Sequence, residues 1–225
     1  MSRWFRGLLP ADAAHLVETG DVLARCEACG AKPHDDVPGY EYAYLLGIYL
    51  GDGCLGTSGR STALRIVLDD AYPAMIEEVV ASILAVRGGG TVSRFNPRGE
   101  RCVALTSYTH AWRCLFPQHG RGKKHHRRIV LEPWQQAIVR RYPGRFARGL
   151  IHSDGWRGTN KVRVKGREYE YPRYQFSNRS DDIRKLFTEA MDELGIDWRP
   201  WGRFHISVAR RASVVLLDEH VGPKS

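Results

Sequence analysis

Stretches with apolar residues at helical spacing trade places along this chain with stretches in which apolar and polar residues alternate. In "YEYAYLLGIYLGDG", Tyr44, Leu45 and Ile48 share one helical face and Gly53 stops the helix. "GCLGTSGRSTALRIVLDD" follows as a hairpin, with loop residues 56–61 and a strand at Leu64–Leu68. "PAMIEEVVASILAVRGGG" is an amphipathic helix closed by glycines. "TVSRFNPRGERCVALTSY" forms two strands around a Pro-Arg-Gly turn, and "THAWRCLFPQHG" a short helix. After the basic loop "RGKKHHRRIV" the order begins again. A connecting helix, "PWQQAIVRRYP", leads to a second apolar helix, "GRFARGLIHSDG". The hairpin "NKVRVKGREYEYPRYQFSNRS" turns at Gly166, and a helix follows with Ser180 as N-cap and Gly195 as its stop. "WRPWGRFHISVA" supplies two short strands and "RASVVLLDEHVG" a closing helix.

The order helix, hairpin, helix, hairpin, helix therefore occurs twice. The ends of the two copies also align: "LFPQHGRGK" and "LLDEHVGPK" match Leu115 with Leu216, His119 with His220 and Lys123 with Lys224. Asp52 and Asp154 stand at nearly the same offset. This predicts an α+β fold in two pseudo-symmetric halves, residues 40–130 and 131–225, preceded by an extension, residues 1–39.

Small residues recur four apart in both apolar helices, Gly47 and Gly51 in one, Gly149 and Ser153 in the other. Residues four apart share a helix face, and small ones let two backbones approach closely. Packed side by side about a pseudo-twofold axis, the helices would bring Asp52 and Asp154 together beside last-turn carbonyls that have no helical donors. Two carboxylates at the negative ends of two helix dipoles repel each other unless a cation lies between them. A small set of hard oxygen ligands suits Mg²⁺.

Charge adds a partner. The chain of 225 residues has 34 Lys and Arg against 25 Asp and Glu, a net charge of +9. Residues 120–175 hold fifteen of these basic residues and four acidic ones, the whole excess, interleaved with Trp134, Trp156 and four tyrosines. Concentrated positive charge with aromatics points to nucleic acid. No apolar run reaches the roughly 20 residues that span a bilayer, and "MSRWFRGLLPADAAHLVETGD" has no signal-like core, so the expectation is a cytoplasmic protein. Five cysteines, an odd number, argue against a disulfide framework, and Cys54, Cys102 and Cys114 are expected to be reduced and near the core. Cys26 and Cys29 form one CxxC. With His34 it could supply part of a zinc knuckle, but a second pair at zinc spacing is lacking, so structural zinc is not expected.

"LLGIYLGDG" and "ARGLIHSDG" resemble the two motifs of a single-chain LAGLIDADG homing endonuclease, the first closest to the dodecapeptide form of intein-borne members. The resemblance runs from about Tyr40 to the C-terminus and includes "FSNRSDDI" and the "GPK" ending. It implies a pseudo-dimeric αββαββα fold, a monomer whose saddle-shaped antiparallel sheets straddle the major groove of double-stranded DNA at a long recognition site. It further implies hydrolysis of both strands with Mg²⁺ or Mn²⁺, Asp52 and Asp154 being metal ligands with the carbonyls of Gly51 and Ser153. Basic residues near the scissile phosphates would be Lys123 (or Lys124) and Lys224. A relative that keeps the scaffold as a DNA-binding transcriptional regulator without cleavage is the alternative, and an RNA-splicing maturase a third.

The strand "KVRVK" would place Lys161, Arg163 and Lys165 on one face, toward DNA, and its valines on the core. Arg167, Arg173 and Tyr174 would join them. In the first half Thr57, Ser58, Arg60, Ser61 and Arg65 form the matching set, with Arg94, Arg98 and Arg101 on the second hairpin and Lys124 after it. Two departures from the family pattern stand out. Leu50 and His152 occupy a position that is often acidic, and the terminal His-Asn pair of an intein is absent, so a free-standing protein is expected.

Overall fold

A computed structural model describes residues 37–58, 61–222 and 224. The N-terminal extension with Cys26, Cys29 and His34, and the hairpin-tip residue Arg60, lie outside the described residues, as do the side chains of Ser58 and Val164.

The first half runs α1 (Gly39–Asp52), β1 (Gly53–Ser58), β2 (Ser61–Asp69), α2 (Pro73–Arg87), β3 (Ser93–Phe95), β4 (Cys102–Tyr108) and α3 (Trp112–Leu115). A single 3₁₀ turn at Lys124–His126 and α4 (Pro133–Arg141) connect it to the second half. That half runs α5 (Pro143–Asp154), β5 (Gly155–Val164), β6 (Arg167–Ser177), α6 (Asp181–Glu193), β7 (Arg199–Trp201), β8 (His205–Val208) and α7 (Arg211–Val221). Each half holds one antiparallel four-stranded sheet with the same strand order, β1-β2-β4-β3 and β5-β6-β8-β7.

Strand periodicity separates the two faces of each sheet. Along β2, Thr62, Leu64, Ile66 and Leu68 are buried and the residues between them are not. Along β6, Tyr174 and Phe176 are buried. The buried faces rest on the helices; the opposite faces are open. α2 starts with Pro73 at its first turn and stops at Gly88, which is left-handed (φ 81°). The side-chain oxygen of Ser180 caps α6, accepting from the Ile183 amide at 3.4 Å. The β5–β6 hairpin closes through Lys165 (φ 50°) and Gly166 (φ 80°). Positive φ at both central residues is the two-residue turn whose twist matches that of the strands.

β5 starts immediately at the end of its motif helix, ahead of the hairpin predicted from Asn160. β1 starts at Gly53 as predicted, and its hairpin is tighter than the predicted loop at 56–61, with strands running to Ser58 and from Ser61. The first inward positions of β5, Gly155, Arg157 and Thr159, are too small or polar to signal a half-buried strand. The cysteines also differ from expectation. Cys54 is a free but exposed thiol, Cys102 is free and half-buried, and Cys114 is disulfide-bonded. No helix among the described residues is long and apolar enough to cross a membrane.

α1 is buried on every side from Tyr42 to Leu50, which is the condition of a helix inside a core. Its neighbour is α5. A side-chain carbon on Gly47 would lie 2.6 Å from the Phe146 carbonyl oxygen and 2.7 Å from the Leu150 amide nitrogen. One on Gly149 would run into the Tyr44 carbonyl oxygen and stand 3.0 Å from the Ile48 amide nitrogen. One on Gly51 would strike the Ser153 side chain. Backbone touches backbone along this seam. Alanine ordinarily favours a helix over glycine by about 1 kcal/mol, and here that preference is overridden by the absence of room for a methyl group.

Candidate metal centre and nucleic-acid interface

The seam brings the C-terminal ends of α1 and α5 together, each followed at once by a strand, so Asp52 and Asp154 are presented side by side below the two sheets. Both are half-buried. Burial and then the nearby Asp154 carboxylate push Asp52 up to about 6, against the opposing pull of Lys124 and Lys224. Asp154 is also raised by burial. The Asn178 amide, which donates to Asp154 Oδ2 at 2.6 Å, and both lysines oppose that rise. Asn178 is held at the β6–α6 step: its backbone amide donates to the Phe204 carbonyl at 3.0 Å, and its Oδ1 accepts from the Ser180 amide at 2.8 Å. Asn178 lies in the "FSNRSDDI" step, where an Asx turn before the Ser180 cap is its signal in the sequence.

The lysine beside the aspartates in the first half is Lys124. Lys123 is exposed. Lys124 Nζ donates to the carbonyls of Tyr49 (2.5 Å), Gly51 (3.1 Å) and Gly53 (2.6 Å), and lies 5.0 Å from the Tyr49 ring centroid. Burial lowers it to about 8, although Asp52 and Asp154 favour its charged form. Lys224 is half-buried and lies over the Tyr72 ring, 5.1 Å from the centroid. Burial lowers it too, while both aspartates pull it back up. The end-to-end alignment that pairs Lys123 with Lys224 is therefore one residue out at its first-half member, because the 3₁₀ turn directs Lys124 inward.

Ser153 Oγ donates back to the carbonyls of Gly149 (3.1 Å) and Leu150 (3.0 Å), so its hydroxyl is occupied within its own helix. Leu50 and His152, the two positions that depart from the family pattern, are both buried. The Tyr44 hydroxyl and His152 Nδ1 share a hydrogen bond of 2.9 Å. Burial, followed by the Arg148 charge, pushes His152 down to about 4, so the imidazole is neutral.

Two carboxylates whose charged forms are disfavoured in each other's presence form a site that a divalent cation would relieve. No group of three or more His, Cys, Asp or Glu side chains that could hold a metal is present among the described residues. The available ligands are thus Asp52, Asp154 and main-chain carbonyls, leaving most positions to water and phosphate. That donor set fits Mg²⁺ or Mn²⁺ and not zinc.

The open sheet faces form the candidate nucleic-acid surface, and their register corrects the predicted one. Lys161 pairs with Glu170 and Arg163 with Glu168, on the side of the sheet that carries buried Tyr174 and Phe176. Val162, opposite Tyr169, is on the open face in place of the cations. The alternation was correct, but its phase was set by the apolar valines, and beyond the helix layer both faces of this hairpin are exposed. Lys161 is salt-bridged to Glu170 (2.7 Å) and Glu168 (3.3 Å). Lys165 sits in the turn, outside the alternation. Tyr174 is a core residue whose hydroxyl donates to Asp218 on α7 at 2.6 Å. Arg94 points toward the helices and pairs with both carboxylate oxygens of Glu77.

The open face of the second sheet carries Trp156, Asn160, Tyr169, Tyr171, Arg173 and Trp201. All four aromatics are substantially exposed. Arg173 lies over the Trp201 ring at 5.3 Å and donates to Ser207 Oγ at 2.8 Å. Gly158 leaves space that the Trp156 ring occupies. Arg167 is on this face at the hairpin tip. In the first half the open face is sparser: Arg65, opposite Cys54 and Thr106, with Val67, Phe95 and Tyr108. Ser61 and the β1 position of Ser58 lie on this side, and Thr57, paired with Thr62, lies on the other, exposed beyond the helices. Arg98 and Arg101 are exposed around the β3–β4 turn, Arg101 3.9 Å from Asp70.

The chain has the fold of the single-chain, two-motif LAGLIDADG homing endonucleases. The I-DmoI structure in complex with DNA and Mn matches over 82% of this chain and 98% of its own, with TM-score 0.53 at 14% identity. The meganuclease I-AabMI bound to uncleaved DNA matches over 80% and 83%, with TM-score 0.52 at 10% identity. I-SmaMI bound to cleaved DNA matches over 81% and 83%, with TM-score 0.50 at 10% identity. No family model matches the sequence, and no curated protein matches it.

Proposed function

We propose that this protein is a site-specific endonuclease that binds double-stranded DNA along the open faces of its two sheets and hydrolyses phosphodiesters at Asp52 and Asp154. The observation that carries this reading is the glycine seam. It forces two helix ends, each with an aspartate, together below two open sheet faces, of which the second is rich in exposed aromatic side chains. The DNA-bound LAGLIDADG endonucleases of the same fold support it.

In this reading Asp52 and Asp154 hold Mg²⁺ or Mn²⁺ with the carbonyls of Gly51 and Ser153. A divalent ion there would supply Lewis-acid stabilisation of the phosphoryl oxygens and a low-pKa water. Asn178 fixes the orientation of the Asp154 carboxylate. Lys224, near both aspartates, supplies positive charge to a phosphate entering the site. Arg65, Arg167 and Arg173 contact phosphate or base edges, and the exposed aromatics add apolar contact in the groove. The protein acts as a monomer, because both motif helices come from one chain.

The test is selection of cleaved sites from a randomised DNA library in Mg²⁺, with Asp52→Asn and Asp154→Asn as controls. Scission of a defined sequence by the wild type, lost in both variants, is expected. Sequence-specific binding without metal-dependent scission would replace the nuclease with a DNA-binding regulator. One observation favours that second reading: Lys124 has its three donors bonded to carbonyls of α1 and β1, which leaves none for a phosphate.

A further inference from the structure

An ammonium group has three N–H donors. Those of Lys124 meet three main-chain carbonyls, Tyr49, Gly51 and Gly53, at the end of α1. This is a complete cation site with the cation supplied by the chain. It contains the Gly51 carbonyl, one of the oxygens expected to ligate a divalent ion, and it lies beside the Asp52 carboxylate. The other half is built differently. Ile151, Ser153 and Gly155 hold the corresponding places on α5 and β5, and no hydrogen bond from Lys224 to their carbonyls exists among the described residues. Asp154 is instead fixed by Asn178, a neutral donor, and no side-chain hydrogen bond holds Asp52 among the described residues.

We infer that Lys124 is an internal counter-cation that closes the first-half metal position in the metal-free protein and must leave the α1 carbonyls before a divalent ion can use them. The physical ground is competition. One carbonyl oxygen does not serve an ammonium at hydrogen-bond distance and a hard divalent ion in the same place, since two cations there would repel. The second-half position has no such competitor, so the two halves load unequally, the Asp154 side first. The same lysine explains how two half-buried carboxylates meet without metal: its charge offsets part of their repulsion. This inference rests on the reading of Asp52 and Asp154 as divalent-ion ligands.

The experiment uses the whole chain and Mn²⁺ alone, counted by electron paramagnetic resonance, with thermal unfolding in EDTA and in Mg²⁺. Lys124→Met is expected to melt earlier than wild type in EDTA, to regain stability in Mg²⁺, and to bind its weaker Mn²⁺ at least about ten-fold more tightly than wild type does. Lys185→Met, an exposed α6 lysine, should change neither. A lysine footprint of the wild type avoids dependence on the variant's folding. Reductive methylation should spare Lys124 but not exposed Lys123 in EDTA, and should reach Lys124 once Mn²⁺ is bound. Equal or weaker Mn²⁺ binding by folded Lys124→Met, or a Lys124 footprint unchanged at Mn²⁺ saturation, would overturn the role of the lysine and leave the metal reading intact. Absence of Mn²⁺ binding by wild type and variant alike would overturn both.

Discussion

The two halves are nearly equal at the helix seam and unequal at the ends of those helices. Gly47 and Gly149 do the same thing in mirror roles, each lying against the other helix's backbone. One turn later the likeness stops. Asp154 has an amide donor and a lysine that lies over the Tyr72 ring, whereas Asp52 has no side-chain donor among the described residues and a lysine locked onto its helix. A second asymmetry lies behind the seam. Glu78 on α2 binds Arg145 (2.7 Å) and Arg148 (2.7 Å) on α5. At the positions of α1 that match those arginines, counting from the aspartates, stand Ala43 and Leu46. Packing constrains both helices alike because it needs only small size; electrostatics is free to diverge because each half solves its charges with different neighbours.

The largest effect should come from breaking what the halves share. Gly47→Val and Gly149→Val each place a branched side chain against main-chain atoms that cannot rotate away. Each should cost about 3 kcal/mol or more in urea denaturation, while Gly56→Ala, where nothing lies within 4 Å, should cost little. A large loss at only one seam glycine would contradict the equivalence of the two.

Next is the one-sided ion cluster. Burial pushes Glu78 up, but the Arg148 and Arg145 guanidiniums outweigh it and hold the carboxyl below its ordinary range. Glu78→Gln leaves two largely covered guanidiniums facing a neutral amide and should destabilise by about 2 kcal/mol at pH 7. Because the folded value is the lower one, this stability is present at neutral pH and lost as pH falls through the folded value.

Asp52 has the opposite sign. Its folded value, about 6, exceeds the unfolded one, so its contribution is full at low pH and is lost as pH rises through about 6. Asp52→Asn should therefore stabilise the protein in EDTA at pH 7.5, by about 1 to 2 kcal/mol after allowance for the lost attraction to Lys124. Asp154→Asn should stabilise less, because Asn178 already favours that carboxylate. Equal gains in a urea titration would remove the inequality of the two helix ends.

The smallest expected effect distinguishes the two faces of the β5–β6 hairpin. Arg173→Ala should weaken DNA binding by about ten-fold and reduce the salt slope by about one, if Arg173 meets a phosphate. Lys161→Ala, whose cation is already paired with Glu168 and Glu170, should weaken it by less than about three-fold. Fluorescence anisotropy over a salt series with the selected DNA site measures both.

Much of this architecture was legible in local pattern. Gly47, Gly51, Gly149 and Ser153 reveal the seam because a small-residue stripe at a spacing of four has few other uses, and finding it twice argues for mutual packing. Element order follows from periodicity, and Ser180 through its side-chain oxygen and Gly88 through its left-handed backbone mark helix ends. The phase of β5 was not legible. An isolated Lys-Val-Arg-Val-Lys segment says that two faces differ but not which one meets helices, and only its register on β6, whose Tyr174 and Phe176 are buried, settles that. The aromatic face of Trp156, Tyr169, Tyr171 and Trp201 went unread for the same reason.

The sequence by itself determined the duplicated α+β order, the two aspartates at matching helix ends and the basic, aromatic character of the second half. These are properties of spacing and composition, carried by residues close together in the chain. Only the tertiary structure decided that Lys124 rather than Lys123 reaches the α1 carbonyls, that Asn178 holds Asp154, and that Lys161, Arg94 and Tyr174 are committed to Glu170, Glu77 and Asp218. Each of these depends on which distant groups share a desolvated space, and hydrogen bonds and charges are assigned there by three-dimensional proximity, on which sequence spacing is silent.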